Sequence, residues 1–268
     1  MLDLSSISLL CLDTRHPDLA LMAMQRCLAS ARFHEAVLLT REDYVSPDPR
    51  ICAQGIPPLR HVADYSHFMV KALGAHFSGE QVLVVQWDSF IIEPGAWDPA
   101  FLAYDYIGAP WPHKAQPVGN GGFSLRSRKL VDALQDPEIR ECQPEDYAIC
   151  ELYHELLARR HGIRFAPRAL ADRFAFELEA PAQPTFGFHG LFNFHRALPE
   201  AELMAWLEQA PPGPLLSMQG RRLLKNLIAT GRHREARVLL DIRNQGGLGR
   251  RLDTLKLRAR LALGRLKG

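Results

Sequence analysis

Residues 82–128 read VLVVQWDSFIIEPGAWDPAFLAYDYIGAPWPHKAQPVGNGGFSLRSR, and this stretch decides the fold. Val82 to Val85 are an apolar run too short for a helix, with Gln86, Trp87 and Asp88 directly behind it. In an open α/β sheet, ligands bind beyond the carboxyl ends of the strands. Asp88 is therefore placed for chemistry rather than for packing, its bland alternative being to cap a turn.

Upstream, Ser6–Leu12 reads as a buried strand ending at Asp13 and Thr14, followed by a helix over Pro17–Ser30 and a second strand over Ala36–Thr40. Proline is tolerated in a first helical turn because its missing N–H has no partner there. The β-α-β order predicts a parallel sheet with a right-handed crossover. A proline-rich loop (Ser46–Pro58) leads to helical spacing over Val62–Ala75, and the Val82 strand completes half of a doubly wound sheet. No GxGxxG follows the first strand and no GxxxxGK[ST] occurs, which argues against a Rossmann dehydrogenase and a P-loop enzyme.

Downstream, Trp97, Phe101, Tyr104, Tyr106 and Trp111 form an aromatic cluster that either walls a pocket for a ring or fills the edge of the core. Gly119-Asn120-Gly121-Gly122 holds more glycine than a plain turn needs and permits close approaches that other residues forbid. Phe123–Arg126 alternates like a half-buried strand. Pro144-Glu145-Asp146 opens a helix that runs to about Arg160, and first-turn carboxylates suit a helix dipole as well as they suit catalysis. Ile163–Phe165 and Phe174–Leu178 read as strands, and residues 184–190 as an irregular segment carrying a single histidine, His189.

At 268 residues and 47% hydrophobic, the chain can bury one substantial core with a small appended unit. Five scattered cysteines without a CxxC pair indicate neither a disulfide framework nor a zinc knuckle, and fit a reducing cytoplasm. The N-terminus lacks a basic region ahead of its short apolar run, against a signal peptide, and no stretch approaches the ~20 apolar residues of a membrane span. A net charge of +2 hides an asymmetry. From Leu215 onward there are 14 Lys+Arg against 3 Asp+Glu, and before it 18 against 27. Pro211–Pro214 reads as a linker between these parts. Beyond it, Leu223-Leu224 with Leu227-Ile228, and Leu252, Leu255, Ala259, Ala262 and Leu266, form two apolar helical faces. Such helices either pack as a hairpin or lie on an anionic membrane surface. Nucleic acid is disfavoured because no aromatic interleaving accompanies the arginines.

The runs QWDSF, YDYIGAPW, GNGGFSLRS, PEDY and FGFHG together resemble a family of glycosyltransferase-like proteins with the pattern Q-x-D-G, YDYIGAPW and GNGGFSLR, related to the GT-A fold of nucleotide-sugar-dependent glycosyltransferases. The resemblance covers roughly residues 6–195. It implies an α/β, GT-A-like, mostly parallel sheet flanked by helices over residues 1–210; the basic helical extension over 215–268 lies outside the resemblance and is read from its charge and helical spacing. The resemblance implies transfer of a hexose from a nucleotide-diphosphate donor to a glycan acceptor with inversion; the basic tail, not the resemblance, points to a lipid-linked glycan acceptor and to surface polysaccharide synthesis at the inner face of the cytoplasmic membrane. Asp13, Thr14, Gln86, Trp87 and Asp88 match the donor side, and Trp111, Asn120, Gly121 and Gly122 the acceptor side. Asp146, or else Glu145, matches the catalytic base. Asp88 and His189 match contacts to a divalent cation, and imidazole favours Mn2+ over Mg2+. Gln86 stands where a first carboxylate is usual and Ser89 where a glycine is usual. A metal-independent enzyme, a non-catalytic glycan- or nucleotide-binding protein, and an adaptor working through its tail are the alternatives.

Overall fold

A computed structural model describes residues 1–114, 116, 118–245, 254, 255, 257 and 258. The chain divides into two compact units, Met1–His189 and Gly190–Gly268, so the boundary expected between 210 and 215 lies inside the second.

Along the first unit run β1 (Leu2–Leu12), α1 (Pro17–Ser30), β2 (Ala31–Thr40), β3 (Cys52–Gly55), α2 (Val62–Lys71), β4 (Gln81–Val85), β5 (Tyr106–Ile107), β6 (Phe123–Ser127) and α3 (Arg128–Ala133). The strands form one sheet in the order β3-β2-β1-β4-β6-β5. The first four are parallel, and β6 runs antiparallel to both of its neighbours. The mixed α/β architecture with a mostly parallel sheet flanked by helices is the one expected from the sequence.

The sheet is buried on both faces. Leu10 and Leu12, Val37 and Leu39, and Val82 and Val84 are each two residues apart, so they share a face. There they pack with Met69 of α2, Leu73, Phe77 and Val131 of α3. The alternate residues Leu9, Cys11, Leu38, Leu83 and Val85 are also buried, and α1 packs on β1 and β2. Burial on both faces is why these strands read as continuous apolar runs. All five cysteines are free and four are buried.

Several local expectations are corrected. The proline-rich loop contains β3, an edge strand whose sequence CAQG has no apolar alternation to reveal it. β6 is buried at every position, not half-buried, because it lies between β4 and β5. The helix expected over 144–160 is broken into α4 (Glu145–Tyr147), a wide π-turn over Ala148–Leu152 and α5 (His154–Arg160). Of Ile163–Phe165 only Phe165 makes a bridge, to Tyr106. The strand expected from Phe174 begins after α6 (Arg168–Phe174), as β7 (Ala175–Phe176), paired with β8 (Gly187–Phe188). Trp97 and Phe101 pack edge-on against Phe186 and Phe174. Phe101, with no exposed surface, is thereby part of the core.

The second unit holds a short turn, then α7 (Phe194–Ala197), α8 (Glu200–Gln209), α9 (Pro212–Leu216), α10 (Met218–Ala229) and α11 (His233–Asn244). The expected linker is thus the start of a helix, with proline in its first turn. Leu223, Leu224 and Leu227 are buried where α10 packs on α7, α9 and α11. Arginines tie this unit together: Arg232 Nη1 donates to the carbonyls of His195 and Leu198, and Arg243 Nη1 to those of Leu215 and Ser217. Of the second apolar face, Leu252, Ala259, Ala262 and Leu266 lie outside the described residues, and Leu255 is exposed. Among the described residues no helix is long and apolar enough to cross a membrane.

Leu10 has no exposed surface and lies in β1 between Val37 of β2 and Val84 of β4. Leu10→Ala is expected to cost about 2–5 kcal/mol through lost transfer energy and a residual cavity. Urea unfolding would show it as a lower midpoint with an unchanged slope.

Candidate active site

The register of the central strands brings three chain segments to one edge of the sheet. β1 pairs with β4 so that Cys11 lies beside Val85, and β4 pairs with β6 so that Val85 lies opposite Phe123. The residues beyond these pairs, Leu12-Asp13, Gln86-Trp87-Asp88 and Gly122, therefore emerge side by side. The chain leaves β1 toward β2 on one flank and returns as β4 on the other. Such a reversal of strand order opens a crevice beyond the strand ends, where ligands of α/β proteins bind.

The turn after β4 is pinned in place. Ser89 Oγ accepts the Gln86 N–H at 2.8 Å and donates to the Gly122 carbonyl at 2.6 Å, with no exposure to solvent. Ser89 thus fastens the end of β4 to the glycine segment entering β6. Gln86 Nε2 donates to the Tyr65 hydroxyl at 2.9 Å, while its Oε1 lies 3.1 Å from His189 Nε2. Asp88, 7% exposed, approaches the same Nε2 at 3.6 Å.

His189 arrives from the other side of the unit. Its backbone N–H donates to the Phe176 carbonyl at 3.0 Å, extending the β7–β8 pairing, and Gly187 bridges to Ile91 just beyond Asp88. Glu177, directly after β7, places Oε1 3.1 Å from His189 Nδ1. Burial alone would lower the pKa of this imidazole, but the carboxylates of Asp88 and Glu177, with Asp146 further off, outweigh it and carry the pKa up to about 9. The group is an imidazolium at neutral pH, donating from Nδ1 to Glu177 and from Nε2 to Gln86. Asn120 Nδ2 lies 2.9 Å from the same Nδ1 and can donate to it only once that nitrogen loses its proton.

Close approach explains the glycines. A Cβ at Gly122 would fall 2.3 Å from His189 Nε2, and one at Gly121 would fall 1.9 Å from Glu145 Oε1. Neither contact is compatible with any other residue. Behind Gly121, the fully buried Arg126 donates from Nη2 to its carbonyl and to Glu145 Oε1, both at 3.3 Å, and from Nε to Ser124 Oγ at 3.0 Å. Burial raises the Glu145 pKa more than Arg126 lowers it. Glu145 therefore faces inward as the structural partner of Arg126. Asp146, the next residue, is half-exposed and accepts the Tyr147 N–H at 2.8 Å.

Asp13 Oδ1 accepts the N–H groups of Arg15 and His16, each at 2.7 Å, closing the turn into α1. Thr14 and Trp87 are half-buried. Trp111 is 8% exposed, with its indole laid against Gly119. Of the residues singled out in the sequence, Gln86, Asp88, Asn120, Gly122 and His189 meet in one cluster, while Glu145 belongs to the buried set around Arg126. Sequence reasoning missed Ser89, Glu177, Tyr65 and Arg126. A carboxylate inside the apolar run FAFEL and an arginine inside a strand were the available signals for two of them.

Asp88 and His189 Nε2, with the Gln86 amide oxygen, face one point, a sparse donor set for a cation. Among the described residues no three His, Cys, Asp or Glu side chains are grouped to hold a metal ion.

Residues 55–189 match the family described as "Protein of unknown function (DUF5672)". The chain belongs to this family. The matched span holds every member of the His189 and Arg126 clusters and leaves out Asp13 and Thr14. No curated protein matches the chain. Among solved structures, the galactosyltransferase LgtC in complex with donor and acceptor sugar analogs is 13% identical, with a TM-score of 0.44 over 68% of this chain and 86% of that one. A glycosyltransferase involved in glycosylation of the major capsid of PBCV-1 is 12% identical, with a TM-score of 0.43 over 68% and 91%. The mannosyltransferase PcManGT from Pyrobaculum calidifontis, in complex with GDP-Man and Mn2+, is 11% identical, with a TM-score of 0.41 over 98% and 86%. Likeness of this degree is too loose to transfer a substrate or a residue's role.

His189 is expected to titrate near pH 9 by NMR of its ring, and Asp88→Asn to lower that value by removing one of the charges that raise it. The folded pKa exceeds the ordinary value of 6.5, so the imidazolium stabilises the fold fully below about pH 6.5 and progressively less up to pH 9. His189→Gln should therefore flatten the fall of stability over that window in denaturant titrations.

Proposed function

We propose that residues 1–189 form the catalytic unit of a glycosyltransferase that moves a hexose from a nucleotide diphosphate to a glycan acceptor with inversion. The observation that carries this reading is the meeting of Asp88, His189 and the glycine segment at the strand-order reversal beside Asp13. The QWDSF, YDYIGAPW and GNGGFSLRS runs support it from the sequence side.

The crevice beyond β1 and β4 would take the donor, with Asp13, Thr14 and Trp87 on the nucleoside side. The departing diphosphate gains negative charge as the glycosidic bond breaks, and a positive group fixed in advance at that point lowers the barrier. His189 carries such a charge at neutral pH. Asp88 and His189, with Gln86, would hold a divalent cation, Mn2+ in preference to Mg2+ because of the imidazole. Held by the neutral imidazole, such a cation would replace the imidazolium charge and supply Lewis-acid stabilisation to the same diphosphate. On the acceptor side, a carboxylate has to take the hydroxyl proton. Asp146 suits that role because it is half-exposed and its charge reaches His189, whereas Glu145 is committed to Arg126. Base and leaving group on opposite faces of the sugar give inversion.

An anionic membrane surface belongs to this reading as a partner of the second unit. The apolar face of α10 is covered, so attraction would rest on exposed charges such as Arg234 and Arg237.

Thermal unfolding with a panel of UDP- and GDP-sugars, with and without Mn2+, tests the donor site. Ligand at 100 times its Kd should stabilise by about 2.7 kcal/mol. Asp88→Ala should abolish the shift; the apo melting temperature falls as well, because His189 loses one of its two compensating carboxylates, but unfolding should remain a single cooperative transition. Asp146→Asn should keep the shift and lower turnover about 10²–10⁴-fold. Nucleotide binding with no transfer to any acceptor would make the protein a nucleotide-binding module, and indifference to every nucleotide would overturn the reading altogether.

A further inference from the structure

A second concavity lies on the other side of Glu177. It has a volume of about 440 Å³ and is lined by Arg168 and Asp172 of α6, Phe176 of β7, and Glu177, Glu179 and Gln183 of the segment that leads toward β8. That volume is within the ~300–1,000 Å³ usual for small-molecule sites. Glu177 is the partition: its side chain lines this cavity, while its Oε1 holds His189 Nδ1 at 3.1 Å.

The lining has a defined chemistry. Arg168 is drawn between Glu179 at 2.6 Å and Asp172 at 3.5 Å, which fixes the guanidinium at the wall. Gln183 adds an amide that both donates and accepts. Phe176 and Pro110 contribute apolar surface, and the Phe176 ring is held by stacking on Phe188 at 5.8 Å. Donors and acceptors together with an apolar patch suit a ligand with many hydroxyls and one C–H face, such as a sugar ring. Three carboxylates stand against one guanidinium. Even with Glu177 assigned to His189, a negative charge remains in excess, so the cavity repels phosphate and carboxylate groups.

We infer that this cavity binds a neutral or amino-bearing saccharide unit, contacted by Arg168, Asp172 and Gln183, and excludes the nucleotide diphosphate. Naming that saccharide as part of the acceptor rests on the transferase reading above, but saccharide binding itself does not. Glu177 couples the two sites, because a ligand hydrogen-bonded to its carboxylate weakens the hold on His189 Nδ1.

The experiment is saturation-transfer NMR on the full chain with the methyl glycosides of glucose, galactose, mannose and glucosamine. Glucuronic acid and glucose 1-phosphate serve as the anionic members of the panel. At least one neutral or amino sugar is expected to bind and the anionic ones to fail. Asp172→Asn combined with Gln183→Ala, the first at a half-buried position and the second at an exposed one, should weaken that binding about tenfold or more, the size of one or two lost polar contacts. The same double variant should keep any thermal shift given by UDP- or GDP-sugars, and sugar binding should move the His189 ring resonance in the wild type. Absence of binding by every sugar, equal binding by the double variant, or preference for an anionic sugar would each overturn the inference. If nucleotides bind and no sugar does, the cavity proposal falls and the donor site stands. If a sugar binds here and no nucleotide binds, the transferase reading falls and the saccharide site stands.

Discussion

Two carboxylates gripping one imidazole from opposite nitrogens set the terms for the rest of the first unit. His189 is only 18% exposed, and a charge so placed is costly unless it is compensated on the spot. Asp88 reaches it from the end of β4 and Glu177 from the end of β7, two strands in different sheets. The contact holds only if the β4–β6 register, the β7–β8 pairing and the bridge from Ile91 to Gly187 are all in place. The charged cluster therefore reads out the correctness of the surrounding backbone, and a shift of one residue in any of these pairings would strand a buried ion.

A second buried ionic set stands immediately behind the first. Arg126 and Glu145 pair with essentially no exposure, and Arg126 also stacks its cation on the Tyr106 ring at 5.7 Å. Gly121 and Gly122 form the shared wall, one yielding space to Glu145 and the other to His189. Adjacent residues thus hold two clusters apart by a single peptide unit. Such an arrangement favours a rigid wall, since moving either side chain outward would press the backbone into the other. Asp146 follows Glu145 directly, so the pair with Arg126 also fixes where the half-exposed carboxylate points.

How much of this was legible in the sequence follows from what each feature depends on. The central strands were plain because a sheet buried on both faces writes itself as an unbroken apolar run, as Val82–Val85 does. Asp88, Asn120, Gly122 and His189, which the fold brings together, could be singled out because strand ends, glycine runs and isolated histidines are local signs. β3 was not, since an edge strand bonded only to β2 needs no apolar pattern. The break at Ala148–Leu152 was hidden because a π-turn keeps helical composition while shifting the face. Glu177 was missed as a partner of His189 because their pairing is made by β7 and β8, each of two residues, too short to announce a register. Ser89 looked like a departure from pattern, but it is the residue whose hydroxyl bonds β4's exit to Gly122.

Gln86 is best understood through the same charge balance. Asp88 and Glu177 already lift His189 to about 9, so at pH 7 releasing its proton would cost roughly 3 kcal/mol. A cation binding at Nε2 has to meet that cost, because imidazole ligates only in its neutral form. A third carboxylate at position 86 would hold the proton tighter still, and would also stand next to the hydroxyl of the half-buried Tyr65. The amide instead accepts the Nε2 proton through Oε1 and satisfies Tyr65 through Nε2 without adding charge. Proton and cation are thereby left as competing answers to one demand for positive charge beside Asp88. In the proposed donor crevice a negatively charged ligand would favour a divalent cation over the singly charged proton, and a lower pH would favour the proton.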